Sequence, residues 1–96
     1  MKLLLGTIAA LAASAASAGT VGYSLCNEFG VQDVTVLVRD KKNGMSVVYN
    51  GSVAKNQCLA VSSSSGNGDH AEVEVRVGQG TPYGVPWIRP GDKVKF

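Results

Sequence analysis

At 96 residues the chain has room for one domain, and a 45% hydrophobic content places it among globular proteins. Nine basic residues stand against seven acidic ones, a formal charge of +2. A charge so close to balance supplies no field that would gather nucleic acid, and that function class is set aside.

Residues 1–19 read MKLLLGTIAALAASAASAG. Lys2 gives a short positive start, residues 3–13 are apolar apart from Gly6 and Thr7, and Ala16-Ser17-Ala18 fits an Ala-x-Ala cleavage site. A membrane anchor needs roughly 20 apolar residues, about twice this run. The pattern predicts a secretory leader over residues 1–18 and a single domain over residues 19–96, secreted or periplasmic. Ala13-Ser14-Ala15 is a second site of the same form, so the mature start is fixed only to within a few residues. No later stretch is apolar enough to span a membrane, so no membrane span is expected in the mature form. Cleavage removes Lys2 and leaves eight basic residues against seven acidic.

A domain of this size has little core and needs a staple or a partner. Cys26 and Cys58 are the only cysteines. In an oxidising compartment an even pair reads as one disulfide. Closing a loop of about 32 residues constrains the unfolded chain by roughly 3–4 kcal/mol in the chain-entropy picture. No Cys-x-x-Cys spacing points to metal or redox chemistry instead.

Residues 20–29 open with the first predicted strand, where Val21, Tyr23 and Leu25 alternate with smaller residues. Residues 27–30 (NEFG) break the pattern as a turn, with Phe29 expected to fold back onto the core edge. Residues 31–39 form the second strand, with Val34, Val36 and Val38 on one face. Asn43-Gly44 is a strong turn pair, because both residues tolerate positive φ. It leads into a third strand over residues 45–49, where Met45, Val47 and Tyr49 share a face. Asn50-Gly51 is a second such pair. It either turns the chain into a short strand at residues 52–54 or bulges one longer strand. Asn50-Gly51-Ser52 also matches the N-glycosylation acceptor pattern, which matters only in a eukaryotic secretory pathway.

Residues 58–62 (CLAVS) form the next strand, and residues 62–70 (SSSSGNGDH) read as an exposed, mobile loop. Residues 71–77 (AEVEVRV) are the most regular strand of all, with Val73, Val75 and Val77 facing a core and Glu72, Glu74 and Arg76 facing water. Residues 78–86 hold three glycines and two prolines and read as a second long loop. Arg89-Pro90-Gly91-Asp92 fits a type II turn. Residues 93–96 (KVKF) alternate again, and their two lysines suit an edge strand. No stretch of residues 19–96 recurs with helical spacing. The chain therefore reads as all-β: a small antiparallel β-sandwich of about seven strands, immunoglobulin-like in the generic sense, with a small closed β-barrel as the alternative.

Catalytic constellations are thin. His70 is the only histidine, and a catalytic zinc usually takes three protein ligands. Ser62 to Ser65 near Asp69 and His70 would place a nucleophile on a loop with no rigid element to present it. Glu72 and Glu74 stand about 7 Å apart by strand rise, a spacing that glycosidase carboxylates share with almost any solvated strand. The sequence thus predicts no enzyme, no cofactor and no resident metal.

The expected function is binding. Tyr83, Trp87 and Arg89 are residue types enriched at binding hot spots, and Pro82 and Pro86 lower the cost of ordering them. They form the candidate binding set of an exported interaction module. Its partner would be an extracytoplasmic protein or an envelope component, and an exported hydrolase that it inhibits is one concrete form. The protein itself is expected to be a monomer or a weak oligomer. Two other classes stand beside it. One is a structural subunit of a surface or envelope assembly, paired through a strand edge. The other is a small copper-binding protein centred on His70, with Asp69 and the remote Met45 as further ligands.

Overall fold

The computed structural model describes residues 19–96; the expected leader, residues 1–18, lies outside the described residues. The described chain forms seven strands and no helix: β1 (Thr20–Cys26), β2 (Val34–Asp40), β3 (Ser46–Val53), β4 (Cys58–Ser64), β5 (Ala71–Val77), β6 (Tyr83–Ile88) and β7 (Lys93–Lys95). They make two separate sheets, ordered β4-β1-β7 and β3-β2-β5-β6. The architecture is an open sandwich and not a closed barrel. All pairings are antiparallel except that of β1 with β7, which is parallel.

The core follows the alternation of the sequence. Val21, Tyr23 and Leu25 from β1 meet Val36 and Val38 from β2 and Ala71, Val73 and Val75 from β5, with Val53, Ile88 and Val94 closing the ends. Each fully buried valine, leucine or isoleucine contributes about 1.5–3 kcal/mol by leaving water. Valine suits these positions because its branched side chain packs on a pleated sheet.

The disulfide joins Cys26 to Cys58, with the two Cα atoms 4.1 Å apart. These residues lie directly opposite each other on the neighbouring strands β1 and β4. The bridge therefore ties one edge strand to its own sheet, whereas a true immunoglobulin domain bridges its two sheets. Cys26 is buried and Cys58 exposed.

Several expectations are corrected. Residues 45–54 are neither two strands nor a strand bulged at Asn50-Gly51. β3 runs unbroken through that pair, and its irregularity lies at Val48, between the pairs Val38–Tyr49 and Arg39–Val47. Gly51 serves close approach: a Cβ there would meet the Tyr49 hydroxyl at 2.9 Å, and that hydroxyl donates to the Ser52 carbonyl at 2.6 Å. The positive φ values of the β2–β3 turn fall on Gly44 and Met45, not on Asn43. Residues 83–88 form a strand, where the glycines and prolines of the sequence predict mostly loop. The strand is an edge, where Pro86 has no ladder bond to lose. One strand merged and one gained leave the number at seven.

The β1–β2 loop also departs from expectation. Phe29 does not fold onto the core but is 73% exposed, and Val31, expected to begin β2, is 83% exposed. The buried Asn27 takes the internal role instead. Its amide nitrogen donates to the carbonyls of Gln32 (2.9 Å) and Val53 (3.1 Å). The backbone amides of Glu28 and Phe29 both donate to the Phe96 carbonyl at 2.8 Å. The loop closes on backbone carbonyls through the Asn27 amide nitrogen and its own backbone amides, although the buried Asn27 Oδ1 has no hydrogen-bond partner among the described residues, and it leaves Phe29 and Val31 exposed.

Candidate functional site

The β2–β3 hairpin turn, the β4–β5 loop that crosses between the sheets and the end of β6 come together at one end of the sandwich. Asp40 sits at this junction. It has the parity of Val36 and Val38, so it faces inward and is buried. One of its carboxylate oxygens accepts from the backbone amide of Ser64 at 2.7 Å and the other from that of Lys42 at 3.1 Å. The first bond crosses from one sheet to the other, and the second shapes the turn that carries Lys42.

Lys42 then braces the β4–β5 loop. Its ammonium donates to the carbonyls of Ser65 (3.2 Å) and His70 (2.9 Å) and lies 3.2 Å from His70 Nε2. The expected mobile segment 62–70 is accordingly corrected. β4 continues to Ser64, Ser63 and Ser65 are buried, and the Ser65 amide donates to the Gly19 carbonyl at 2.7 Å. Serine runs suggest a solvated loop, but here they extend a strand and bond to their surroundings.

His70 is not a solvated loop residue. Its side chain is only 13% exposed. Nδ1 lies 3.2 Å from an Asp69 carboxylate oxygen, and Nε2 lies 3.4 Å from one of Glu72. The hydrogen bond from His70 holds the Asp69 carboxyl below the usual carboxylate range, with a further contribution from the nearby Arg89 charge. The ring stacks on Trp87, with centroids 3.5 Å apart and planes inclined at 15°.

A break in register brings Trp87 to this position. Tyr83 lies opposite Val75 and Val85 opposite Val73, but Ile88 lies opposite Ala71, so β6 carries one extra residue between these pairs. Val73, Val75 and Ala71 are core residues. Tyr83, Val85 and Ile88 therefore share the inner side, while Trp87 is thrown to the outer side beside Glu72. Tyr83 stays 42% exposed at the rim, and burial of the remainder pushes its phenol above the ordinary value.

The three residues expected to bind together are thus divided. Trp87 is on the outer face and 57% exposed. Arg89 follows it in the turn, where its amide donates to the Asp92 carboxylate at 2.8 Å and Gly91 has φ 85° as a type II turn requires. Tyr83 belongs to the inner side of the opposite end of β6. His70 and Lys42 join Trp87 instead. The sequence carries no local signal for that, because they lie on three different segments.

The chemistry available at His70 is limited by its contacts. Asp69 and Glu72 approach different nitrogens, so they diverge from any single coordination point, and the Lys42 ammonium stands at Nε2. Among the described residues no group of three or more histidine, cysteine, aspartate or glutamate side chains could hold a metal ion. Met45 lies in the β2–β3 turn and is not among the partners of His70, and no serine hydroxyl is either. Glu74 stands opposite Arg39 in the ladder while Glu72 serves His70.

A second feature is an open cleft of about 490 Å³ between the edge strands β3 and β4, lined by Thr20, Asp40, Ser46, Val48, Ser63 and Ser64 among others. It is shallow and polar. No helix among the described residues is long and apolar enough to cross a membrane. No protein-family model, curated protein or solved structure matches the chain.

Proposed function

We propose that the protein is a non-catalytic binding module, exported to an oxidising compartment, that engages an extracytoplasmic protein or envelope component through the face built on Trp87. The observation that carries this reading is the state of Trp87: more than half exposed, yet held flat against a nearly buried histidine. A large side chain that is both exposed and immobilised meets a ligand without further loss of rotamer freedom. Arg89 and Glu72 beside it supply charged groups for orientation.

The disulfide supports export, because such bridges persist in oxidising compartments. The leader pattern of residues 1–18 agrees with it. Inhibition of an exported hydrolase is one form this binding could take, since an inhibitor needs only a rigid scaffold and an anchor residue.

The test is affinity capture with the oxidised protein and its Trp87→Ala variant, against extracts of the native envelope or culture medium. Loss of capture in a variant that keeps the wild-type circular dichroism spectrum is the expected result. Equal capture by both proteins would remove Trp87 from the binding face.

A further inference from the structure

We infer that the open face of Trp87 is a stacking platform for a neutral pyranose ring, so that the ligand of this surface is a glycan. The inference rests on the binding role of Trp87 and specifies the chemistry of what is bound. One face of the indole lies against His70, with ring centroids 3.5 Å apart. The exposure of Trp87 therefore belongs to its other face and its rim. That free surface is flat, apolar and fixed.

The charges around it decide which ligands suit it. Asp69 and Glu72 provide two carboxylates, and Lys42 and Arg89 provide two cations. The Lys41 ammonium stands beside Gly84, and Glu74 lies opposite that glycine on the same outer side, adding one charge of each sign, so cations and carboxylates are mixed over this face. A ligand cation over the indole would gain the attraction of the ring face, but it would share this end of the fold with the cations of Lys42, held at His70, and Arg89, which acts on Asp69. An anion would share it with the carboxylates of Asp69 and Glu72 around His70. A sugar ring avoids both conflicts. Its C–H groups carry slight positive charge and lie flat on the electron-rich ring face. Its hydroxyls both donate and accept, so they can use a rim of mixed cations and carboxylates.

Depth sets the strength. The shelf is open and contacts one face of one ring, so a single sugar should bind with a Kd on the order of 1–10 mM. A polymer presenting many rings would be retained more firmly through repeated engagement.

Trp87 is the only tryptophan, so its emission reports occupancy directly. The oxidised protein is titrated with cellohexaose, maltohexaose, chitohexaose and tetramethylammonium, and sedimented with insoluble peptidoglycan. The expected result is a saturable emission change with at least one hexaose; co-sedimentation with peptidoglycan, which also carries peptides, supports the inference only together with it. Trp87→Ala should then weaken retention at least tenfold, and Trp87→Phe should restore part of it. No saturable response to any hexaose overturns the inference, as does a response to tetramethylammonium alone. Binding of a sugar that persists unchanged in Trp87→Ala also overturns it. Envelope capture that depends on Trp87 but occurs without any sugar response removes the glycan and leaves the binding role intact. Capture independent of Trp87 removes both.

Discussion

Trp87 lies on His70 with its ring plane 15° from parallel, although the two residues belong to different strands' ends and only a register break in β6 brings them together. Each supports the other: the imidazole is held at both nitrogens, and the indole rests on it. Aromatic stacking of this kind is worth about 0.5–1.5 kcal/mol beyond area burial. His70→Ala should lower stability by roughly that amount and uncover the second face of the indole. The check is tryptophan emission with acrylamide quenching: the variant should emit further to the red and quench more steeply. An unchanged quenching constant would mean that the stack does not shield Trp87.

The disulfide bears on stability in a different way. Cys26 and Cys58 are already cross-strand neighbours in the folded state, so the bridge acts mainly on the unfolded chain. Replacing both cysteines by serine should cost about 3–4 kcal/mol, a large part of the stability expected for one small domain. Urea denaturation of oxidised wild type against Cys26→Ser/Cys58→Ser measures it. A difference below about 1 kcal/mol would show that the reduced chain is already compact.

Phe29 and Val31 separate exposure from hydrophobicity. Both are apolar, yet the loop that carries them is closed by Asn27 and the Phe96 carbonyl and makes no use of their side chains. Phe29→Ser and Val31→Ser should each change stability by no more than about 0.5 kcal/mol. Leu25→Ala, at a position with no exposure, should cost about 2–5 kcal/mol. Thermal unfolding of the three variants makes the comparison. A large loss in Phe29→Ser would place its ring back on the core.

The elements legible in the sequence are those governed by a period of two. β5 and the valine face of β2 stand where the alternation puts them, and the Arg89-Pro90-Gly91-Asp92 turn forms as its proline and glycine dictate. The disulfide follows from there being only two cysteines. What stayed hidden depends on neighbours far along the chain. Asn50-Gly51 carries the local chemistry of a turn, but pairing with Val36 and Leu37 keeps it in a strand. Residues 83–88 carry a proline and a glycine, which an edge strand tolerates and a central one would not. His70 looks solvated beside Gly66, Asn67 and Gly68, until Lys42 and Trp87 close over it from other segments. Trp87 was legible as a binding candidate from its type alone. Its separation from Tyr83 was not, because one extra residue in β6 reverses the face.

Tyr23 gives the pH dependence. Its ring is buried, and its hydroxyl shares a 2.6 Å hydrogen bond with the Ser63 hydroxyl. Burial pushes its phenol above the ordinary value of about 10, the Ser63 hydrogen bond offsets part of that, and the Asp40 charge adds to it. The folded state therefore holds the proton at pH values where the unfolded chain has lost it. The stability from this group is fully present below the unfolded pKa and is lost as pH rises from there through the higher folded value. Tyr23→Phe removes the titration together with the hydrogen bond. It should cost about 1–2 kcal/mol near neutrality, and it should flatten the decline above pH ~10. Urea denaturation at pH 8 and at pH 10.5 measures the two slopes, and the difference between the two proteins isolates Tyr23. A wild type that loses no more stability than Tyr23→Phe over that interval would show that the Tyr23 proton is not held by the fold.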